Sequence, residues 1–302
     1  MDLYLPIAGM SVNALVIILL GAGVGFLSGM LGVGGGFLTT PLLIFYGVPP
    51  AIAVASSATQ MTGASVSGVL AYASRKGVDF KMGAVMVAGG LVGSVAGSFV
   101  FELLQALGQI DTAISIVYVL MLLSIGTLML RDSLRVLRPG KAPRPPLRKR
   151  HNPLIASLPW RMRFYRSGLY ISPLAPFGLG VLVGILTAIM GIGGGFILVP
   201  AMIYLLGMAA SVVVGTSLFQ ILFVTAATTL LHATQSKTVD IVLAALLLVG
   251  GVVGAQYGAF AARRLPAEKL RLGLAIVVLL FGIRLALQLT YRPGEIFSVG
   301  PA

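Results

Sequence analysis

Two stretches of this chain carry the same glycine-rich pattern, and their residue types suit the binding of an anion. Residues 25–41 read GFLSGMLGVGGGFLTTP and residues 184–200 read GILTAIMGIGGGFILVP, at a constant offset of 159 (184 − 25 = 159). Three consecutive glycines free the backbone for conformations that other residues avoid. A helix that begins there presents amide N–H groups without intrahelical partners, and these amides together with the helix dipole attract negative charge.

Hydroxyl and amide side chains near the two glycine turns supply further neutral donors. Such donors bind the three oxygens of a sulfonate without the cost of burying a permanent counter-charge. For a single Ser or Thr, a hydrogen bond back to its own helix is the ordinary alternative. Allowing one inserted residue, Ser57 matches Ser217 and Gln60 matches Gln220, which favours a role for the glutamines. The predicted binding residues are Ser28, Gly34, Gly35, Gly36, Phe37, Thr39, Thr40, Ser57, Gln60, Thr187, Gly193, Gly194, Gly195, Phe196, Ser217, Gln220 and Arg284.

Ionisable residues are scarce inside the predicted membrane segments. Arg284 lies within the last segment and is a candidate contact for the anion, although it is near enough to the segment end to snorkel. Its matched position in the first half is Leu128, so Arg284 is not part of the repeat. His232 lies at a segment end and is expected at the interface. The acidic residues nearest the segments all lie at loops, which gives no support to a buried carboxylate as proton carrier: Asp79, Glu102, Asp111 and Asp240.

The composition indicates a polytopic membrane protein. Of the 302 residues, 58% are hydrophobic and only 10% are charged, against about 25% charged residues in soluble domains. There are no cysteines, which excludes disulfides and thiolate metal sites. The first residues carry no Lys or Arg and do not resemble a removable signal peptide. We therefore expect a multi-pass protein of the bacterial cytoplasmic (inner) membrane that is not an enzyme, has no catalytic residues and needs no cofactor or metal.

The net charge of +13 reflects membrane orientation and does not indicate nucleic acid as a partner. Eleven of the 21 basic residues lie between Arg131 and Arg166, in a single loop. Basic residues concentrated in a few loops are typical of cytoplasmic loops under the positive-inside rule. The expected partners are a small anionic substrate and the lipid bilayer, and the sequence leaves a homo-oligomer open.

Apolar segments outside the glycine turns complete two similar halves. The segment after each turn is about 15 Å long if helical and cannot span a hydrocarbon core of about 30 Å. The third full segment of each half carries four glycines at an offset of 161, which we interpret as close helix packing: Gly89, Gly90, Gly93 and Gly97, matched by Gly250, Gly251, Gly254 and Gly258. The predicted segments are residues 12–31, 37–46, 51–73, 82–104 and 113–130, and in the second half 196–206, 209–231 and 270–290, with others between.

The chain is therefore predicted to contain two transmembrane repeats, 1–130 and 173–302, joined by a basic, proline-rich cytoplasmic linker, 131–172. The prolines exclude a regular helix from the first half of this linker, and the aromatic and basic residues at 160–166 suit the headgroup level. If each broken helix is a hairpin, the repeats are inverted and 18 basic residues lie inside against two outside. If each broken helix instead crosses the membrane once, the repeats are parallel, and 16 basic residues lie inside against four outside. The charge rule favours inverted repeats, each a broken-helix hairpin plus three transmembrane helices.

The doubled turn, GMLGVGGGF and AIMGIGGGF with a proline four residues after each Phe, resembles the sulfite exporter TauE/SafE family of bacterial membrane proteins. The resemblance covers nearly the whole chain apart from the basic linker and the termini. It implies export of a sulfur-containing anion such as sulfite, sulfoacetate or a related organosulfonate, by alternating access between inverted repeats. An anion channel and an importer of thiosulfate or other sulfur oxyanions are the alternatives. The sequence leaves the substrate, the direction and the coupling open.

Overall fold

The computed structural model describes residues 2–31, 36–74, 76–137, 159–262 and 267–290, and these residues are mostly helical. Five of the described helices are long and apolar enough to cross a membrane, so the chain is an all-α polytopic membrane protein. In the first half the helices are α1 (Ala14–Leu31), α2 (Gly36–Tyr46), α3 (Pro50–Ser74), α4 (Phe80–Ala106) and α5 (Ile110–Leu137). In the second half they are α6 (Leu174–Met190), α7 (Gly195–Tyr204), α8 (Ala210–Leu231), α9 (Ile241–Ala262) and α10 (Ala267–Thr290).

Each half contains a long helix, a break and a short helix that returns toward its starting end. The short helices have 11 and 10 residues, or about 16 and 15 Å, too short to span a bilayer. In the first half, the N–H of Asn13 at the start of α1 donates to the Tyr46 hydroxyl at the end of α2 (3.2 Å). In the second half, Leu206 beyond α7 belongs to the same buried cluster as Phe164 and Ile171, which precede α6. The broken helix of each half is therefore a hairpin.

A short β-hairpin precedes the first helix of each half, and the sequence patterns did not predict it. The first hairpin pairs Asp2–Leu5 (β1) with Met10–Asn13 (β2), and the second pairs Met162–Phe164 (β3) with Leu169–Ile171 (β4). The turns contain Gly9 and Gly168, at φ +64° and +63°. These residues lie 159 apart (168 − 9 = 159), the offset of the glycine turns. The second hairpin occupies positions that the sequence suggests to be linker, while positions 138–158 of that linker lie outside the described residues.

The two halves are interleaved, because the first helix of each half packs along the fourth helix of the other. Helix α1 lies along α9, and α6 lies along α4. A Cβ at Gly254 would lie 2.0 Å from the carbonyl oxygen of Ala22, and one at Gly93 would lie 2.1 Å from that of Val181. Such distances leave room only for a hydrogen atom, so the backbones touch. The packing interpretation of the two glycine sets is confirmed.

Matching helices of the two halves also pack against each other, and they run antiparallel. On α3 and α8 the Thr59 hydroxyl donates to that of Thr229, and the Thr62 hydroxyl donates to that of Thr225. The residue numbers of the paired threonines therefore increase along α3 while they decrease along α8. On α5 and α10, Gly126 faces Leu279 and Gly282 faces Leu123. Helix α3 has the length to span a bilayer but is not among the five apolar candidates, because its many hydroxyl and amide groups lower its hydropathy.

Two glycines of α1 allow a direct test of the interleaved packing. A Cβ at Gly25 would lie 2.2 Å from the carbonyl oxygen of Gly251, whereas at Gly23 no packing atom of the described residues lies within 4 Å of the Cβ position. We expect Gly25→Ala to destabilise the protein by about 1–3 kcal/mol, the usual cost of overpacking. Gly23→Ala should leave stability unchanged or raise it slightly, since alanine favours helix. Thermal unfolding of the purified variants, followed by size-exclusion chromatography, measures both; equal melting temperatures would contradict the close contact.

Candidate functional site

The two short helices begin against each other in the middle of the molecule. The rings of Phe37 and Phe196, each the second residue of its helix, are stacked with centroids 4.2 Å apart and planes 10° apart. Both side chains are buried. A Cβ at Gly36 would lie 3.0 Å from the carbonyl oxygen of Ile192 in the other glycine turn. The structure thus brings together the predicted residues Gly36, Phe37 and Phe196.

The second glycine turn needs its glycines for conformation. Gly191, Gly193 and Gly194 have φ angles of +68°, +67° and +71°, a region that residues with a side chain adopt only at a cost. Gly194 is the N-cap of α7, and its carbonyl accepts from the amide of Leu198 (2.8 Å). Gly195 begins α7 and is buried. The predicted residues Gly34 and Gly35 of the first turn lie outside the described residues.

The first amide of α2 has a weak acceptor. The N–H of Gly36 points at the Met61 thioether sulfur on α3, at 3.0 Å. A thioether is a poor hydrogen-bond acceptor, and a charged oxygen forms a much stronger bond with the same N–H. Met61 also reaches the second turn, because its methyl group lies 3.3 Å from the Cβ position of Gly193. One flexible methionine side chain therefore lies between the two helix starts.

Donors from three helices hold the end of α6, just before the second glycine turn. The Met190 carbonyl accepts from the Thr40 hydroxyl (3.4 Å) and from the Tyr118 hydroxyl. The Ala188 carbonyl pairs with Nε2 of His232 (2.9 Å). These bonds satisfy carbonyls that the end of a helix leaves without intrahelical partners. They also fix where the second turn lies relative to α2, α5 and α8.

The structure corrects the expected place of His232 and adds Tyr118, which the sequence analysis did not single out. His232 is expected at the interface, but it is fully buried and its ring packs edge-on against Phe101, with centroids 4.5 Å apart. The cause is local: α8 continues into a π-helical turn, His232–Ser236, which keeps the imidazole inside. Tyr118 lies in an otherwise apolar stretch of α5, where a single hydroxyl was the only available signal.

Two matched glutamines are buried with unpaired polar atoms. Gln60 donates from Nε2 to the Leu247 carbonyl (3.2 Å), while its Oε1 has no partner among the described residues. Gln220 is fully buried, and within the part of the chain that the structure describes neither its Nε2 nor its Oε1 has a partner. Each amide approaches a glycine of the other half's helix crossing, since the Gln60 nitrogen lies 2.7 Å from the Cβ position of Gly251 and the Gln220 nitrogen 2.9 Å from that of Gly90.

Leaving a buried amide unpaired costs about 1–3 kcal/mol, so such groups are retained where a ligand or water uses them. Ser57 shares this property, because it is fully buried and its hydroxyl contacts no hydrogen-bond partner in the described ranges. Between the glutamines, the hydroxyls of Thr62 and Thr225 are paired at 2.9 Å. The polar groups that α3 and α8 contribute here are neutral, as the binding of an anion by dipoles requires.

Several predicted side chains bond to their own helices instead. The Thr187 hydroxyl donates to the Val183 carbonyl (2.7 Å), and the Ser217 hydroxyl donates to the Val214 carbonyl (2.8 Å). These are the back-bonds that the sequence analysis gave as the alternative. Thr39 is buried on α2, and Ser28 is half-buried near the end of α1.

Arg284 is separated from the meeting point of the two short helices. Its guanidinium lies over the ring of Phe45, 4.6 Å from the centroid, and the residue is exposed. Phe45 is near the end of α2, nine residues and about 13 Å beyond Gly36. The structure therefore does not bring Arg284 to the other predicted binding residues.

Comparisons with known proteins show the family of the chain. The chain is 30% identical over 272 residues to the probable membrane transporter protein YjnA of Bacillus subtilis, covering 89% of this chain and 98% of that protein. It is 30% identical over 263 residues to a probable membrane transporter protein of Xylella fastidiosa, covering 86% and 89%. No solved structure matches the chain. The model of the sulfite exporter TauE/SafE family matches residues 17–285, and the chain therefore belongs to that family of membrane transporters.

Proposed function

We propose that this membrane transporter exports a sulfur-containing anion (sulfite, sulfoacetate or a related organosulfonate) across the bacterial inner membrane by alternating access. The observation that carries the proposal is the meeting of two helix starts, marked by the stacked rings of Phe37 and Phe196. Their first amides and the unpaired side-chain amide nitrogen of Gln220 offer neutral donors to an oxyanion. The family description, sulfite exporter, supports the substrate class.

The antiparallel packing of matching helices supports inverted repeats. Two repeats in the same orientation would bring α3 and α8 together as parallel helices, whereas these run antiparallel. One end of the helix bundle, which we call the basic end, carries Lys76, Lys81, Arg163 and Arg166. The positive-inside rule assigns this end to the cytoplasm. Each broken-helix hairpin then enters from its own side of the membrane, as in transporters built from inverted repeats.

The stacked rings favour a carrier over an anion channel. Phe37 and Phe196 are 2% and 3% exposed, so the place where the two short helices meet is filled by packed aromatic rings. A conducting pore needs a continuous wet path, while a carrier needs a centre that is open to one side at a time. Saturable flux is therefore expected.

The substrate is tested with the purified protein in proteoliposomes. We expect saturable uptake of labelled sulfite or sulfoacetate, faster when the membrane potential drives the anion in the direction of movement. Protein-free vesicles are the control, and thiosulfate tests the alternative substrate class. If these anions do not move while a cation does, the anion proposal is wrong; flux that stays linear with concentration would support a channel.

The second glycine turn is tested with two glycines of similar conformation. Gly194 and Gly207 have φ +71° and +74°, but only Gly194 lies in the turn, and the Cβ position of Gly207 meets no atom of the described residues within 4 Å. We expect Gly194→Ala to lower the transport rate at least about tenfold. Gly207→Ala carries a similar backbone strain of about 1–2 kcal/mol and should keep most of the rate.

An alanine at 194 would also collide with Val183, whose Cγ1 lies 2.0 Å from the Cβ position. The double variant Gly194→Ala with Val183→Ala removes this collision, and thermal unfolding confirms that it is folded. A folded double variant with wild-type transport would show that the conformation of the turn is not needed for binding.

The buried glutamine of α8 is tested by removing its unpaired atoms. Gln220→Leu keeps the approximate volume and eliminates two unpaired polar atoms, so we expect equal or higher thermal stability. If the amide binds the anion, the same variant should raise the half-saturation concentration at least about tenfold. Gln256→Leu, at an exposed position of α9, is the matched control. Unchanged half-saturation in Gln220→Leu would assign the amide to packing.

A further inference from the structure

Two aspartates that the sequence places in loops are buried at equivalent positions of the two halves. Asp79 precedes α4 and Asp240 precedes α9, 161 residues apart (240 − 79 = 161), and they are 2% and 0% exposed. Each carboxylate caps its helix, because Asp79 accepts from the Met82 amide (3.1 Å) and Asp240 from the Leu243 amide (3.1 Å). A buried carboxylate is costly unless it is fully hydrogen-bonded.

The second oxygen of each carboxylate holds the β-hairpin of the opposite half. Oδ2 of Asp79 accepts from the Ser167 amide (2.9 Å) and from the Ser167 hydroxyl, in the second hairpin. Oδ2 of Asp240 accepts from the Ile7 amide (3.2 Å), in the first hairpin. The Asp79 amide donates to the Thr216 hydroxyl (2.9 Å) and the Asp240 amide to the Ser56 hydroxyl (3.3 Å). We call these two bonded sets the clasps.

The clasps lie at opposite ends of the molecule. Asp240 contacts Ser56 near the start of α3, whereas Asp79 contacts Thr216 on α8, next to the residues that follow α3. The intervening length of α3, 18 residues from Ser56 to Ser74, is about 27 Å, close to the thickness of the hydrocarbon core. Each clasp joins residues of both halves, so each one ties the halves together at a single face of the membrane.

The clasp at the basic end has additional bonds. Arg166, beside Ser167, donates from Nη1 to the Val78 carbonyl (2.7 Å), and its guanidinium lies over the ring of Phe80. Lys81 donates to the Arg163 carbonyl (3.3 Å). The first hairpin holds Asp240 by the backbone amide of Ile7. The two aspartates accept equivalent hydrogen bonds, but more side-chain hydrogen bonds stabilise the clasp at the basic end.

We propose that the two clasps are the gates of the transporter, and that they open in alternation. Opening a passage to one face requires breaking the contacts between the halves at that face while those at the other face hold. The clasps fit this requirement, because they are equivalent, join the two halves and lie at opposite ends. Weakening one clasp should therefore shift the population toward the conformation that is open at its own end. This inference rests on the alternating access proposed above, but not on the identity of the substrate.

The absence of cysteine makes the gates measurable with single reporters. Ala53 in the first turn of α3 and Val213 in the first turn of α8 are both fully buried and lie three residues before Ser56 and Thr216. Ala53→Cys, which we call the α3 reporter, reports on the end of Asp240. Val213→Cys, the α8 reporter, reports on the basic end. Labelling rates with a membrane-impermeant maleimide are measured in right-side-out vesicles for the α3 reporter and in inverted vesicles for the α8 reporter.

Ser167→Ala removes one bond of the clasp at the basic end. We expect the α8 reporter to label about tenfold faster in this variant and the α3 reporter to label more slowly. Asp240→Asn keeps the helix cap, but its amide N–H₂ can face the Ile7 N–H, where two donors repel. In Asp240→Asn we therefore expect the α3 reporter to label about tenfold faster and the α8 reporter to label more slowly. Should either variant fold poorly, Thr216→Val and Ser56→Ala weaken the same clasps and carry the same expectations.

The matched control is Asp111→Asn. Asp111 accepts from the Ala51 amide (3.3 Å), a contact within the first half, so this variant should change neither rate much. Reciprocal changes in the clasp variants support the gates. Both reporters speeding up together would indicate general loosening, and no change at either would show that the clasps only brace the fold; both results overturn the proposal. Because no substrate is needed, a failure to transport sulfur anions leaves this test intact.

Discussion

Direct contact between backbones, across glycines, is the interaction on which the rest of the structure depends. Lipid chains are as apolar as the helices, so there is little hydrophobic gain from bringing two membrane helices together. Close packing at Gly93 and Gly254 supplies the attraction instead. At both glycines a carbonyl oxygen of the partner helix lies so near that a Cβ would collide with it. Because these contacts join α1 to α9 and α6 to α4, they also decide that the halves interleave.

The candidate site follows from this interleaving. Gln60 belongs to the first half, but its side chain lies against Gly251 and the Leu247 carbonyl of the second half. Gln220 belongs to the second half, and its side chain lies against Gly90 of the first half. Each half therefore supplies an amide that reaches the helix crossing of its partner. A change in how the halves lie against each other would move both glutamines at once.

The sequence predicted the helices well because apolar length, glycine spacing and an exact repeat are local signals. It singled out both glycine turns, and Phe37 and Phe196, which follow them, are in contact. It missed the β-hairpins, whose strands have three or four residues, although Gly9 and Gly168 repeat at the offset of the turns. It also misplaced His232, since burial there depends on a π-helical turn that no spacing rule predicts.

Interleaving has a consequence for how the chain is made. Ile18 of α1 packs on Gly250 of α9, 232 residues later (250 − 18 = 232). A ribosome delivers α1 to the bilayer long before α9 exists, so the small-residue face of α1 must remain in lipid, or against a temporary companion, until synthesis is nearly complete. Neither half holds its own partner for its first helix.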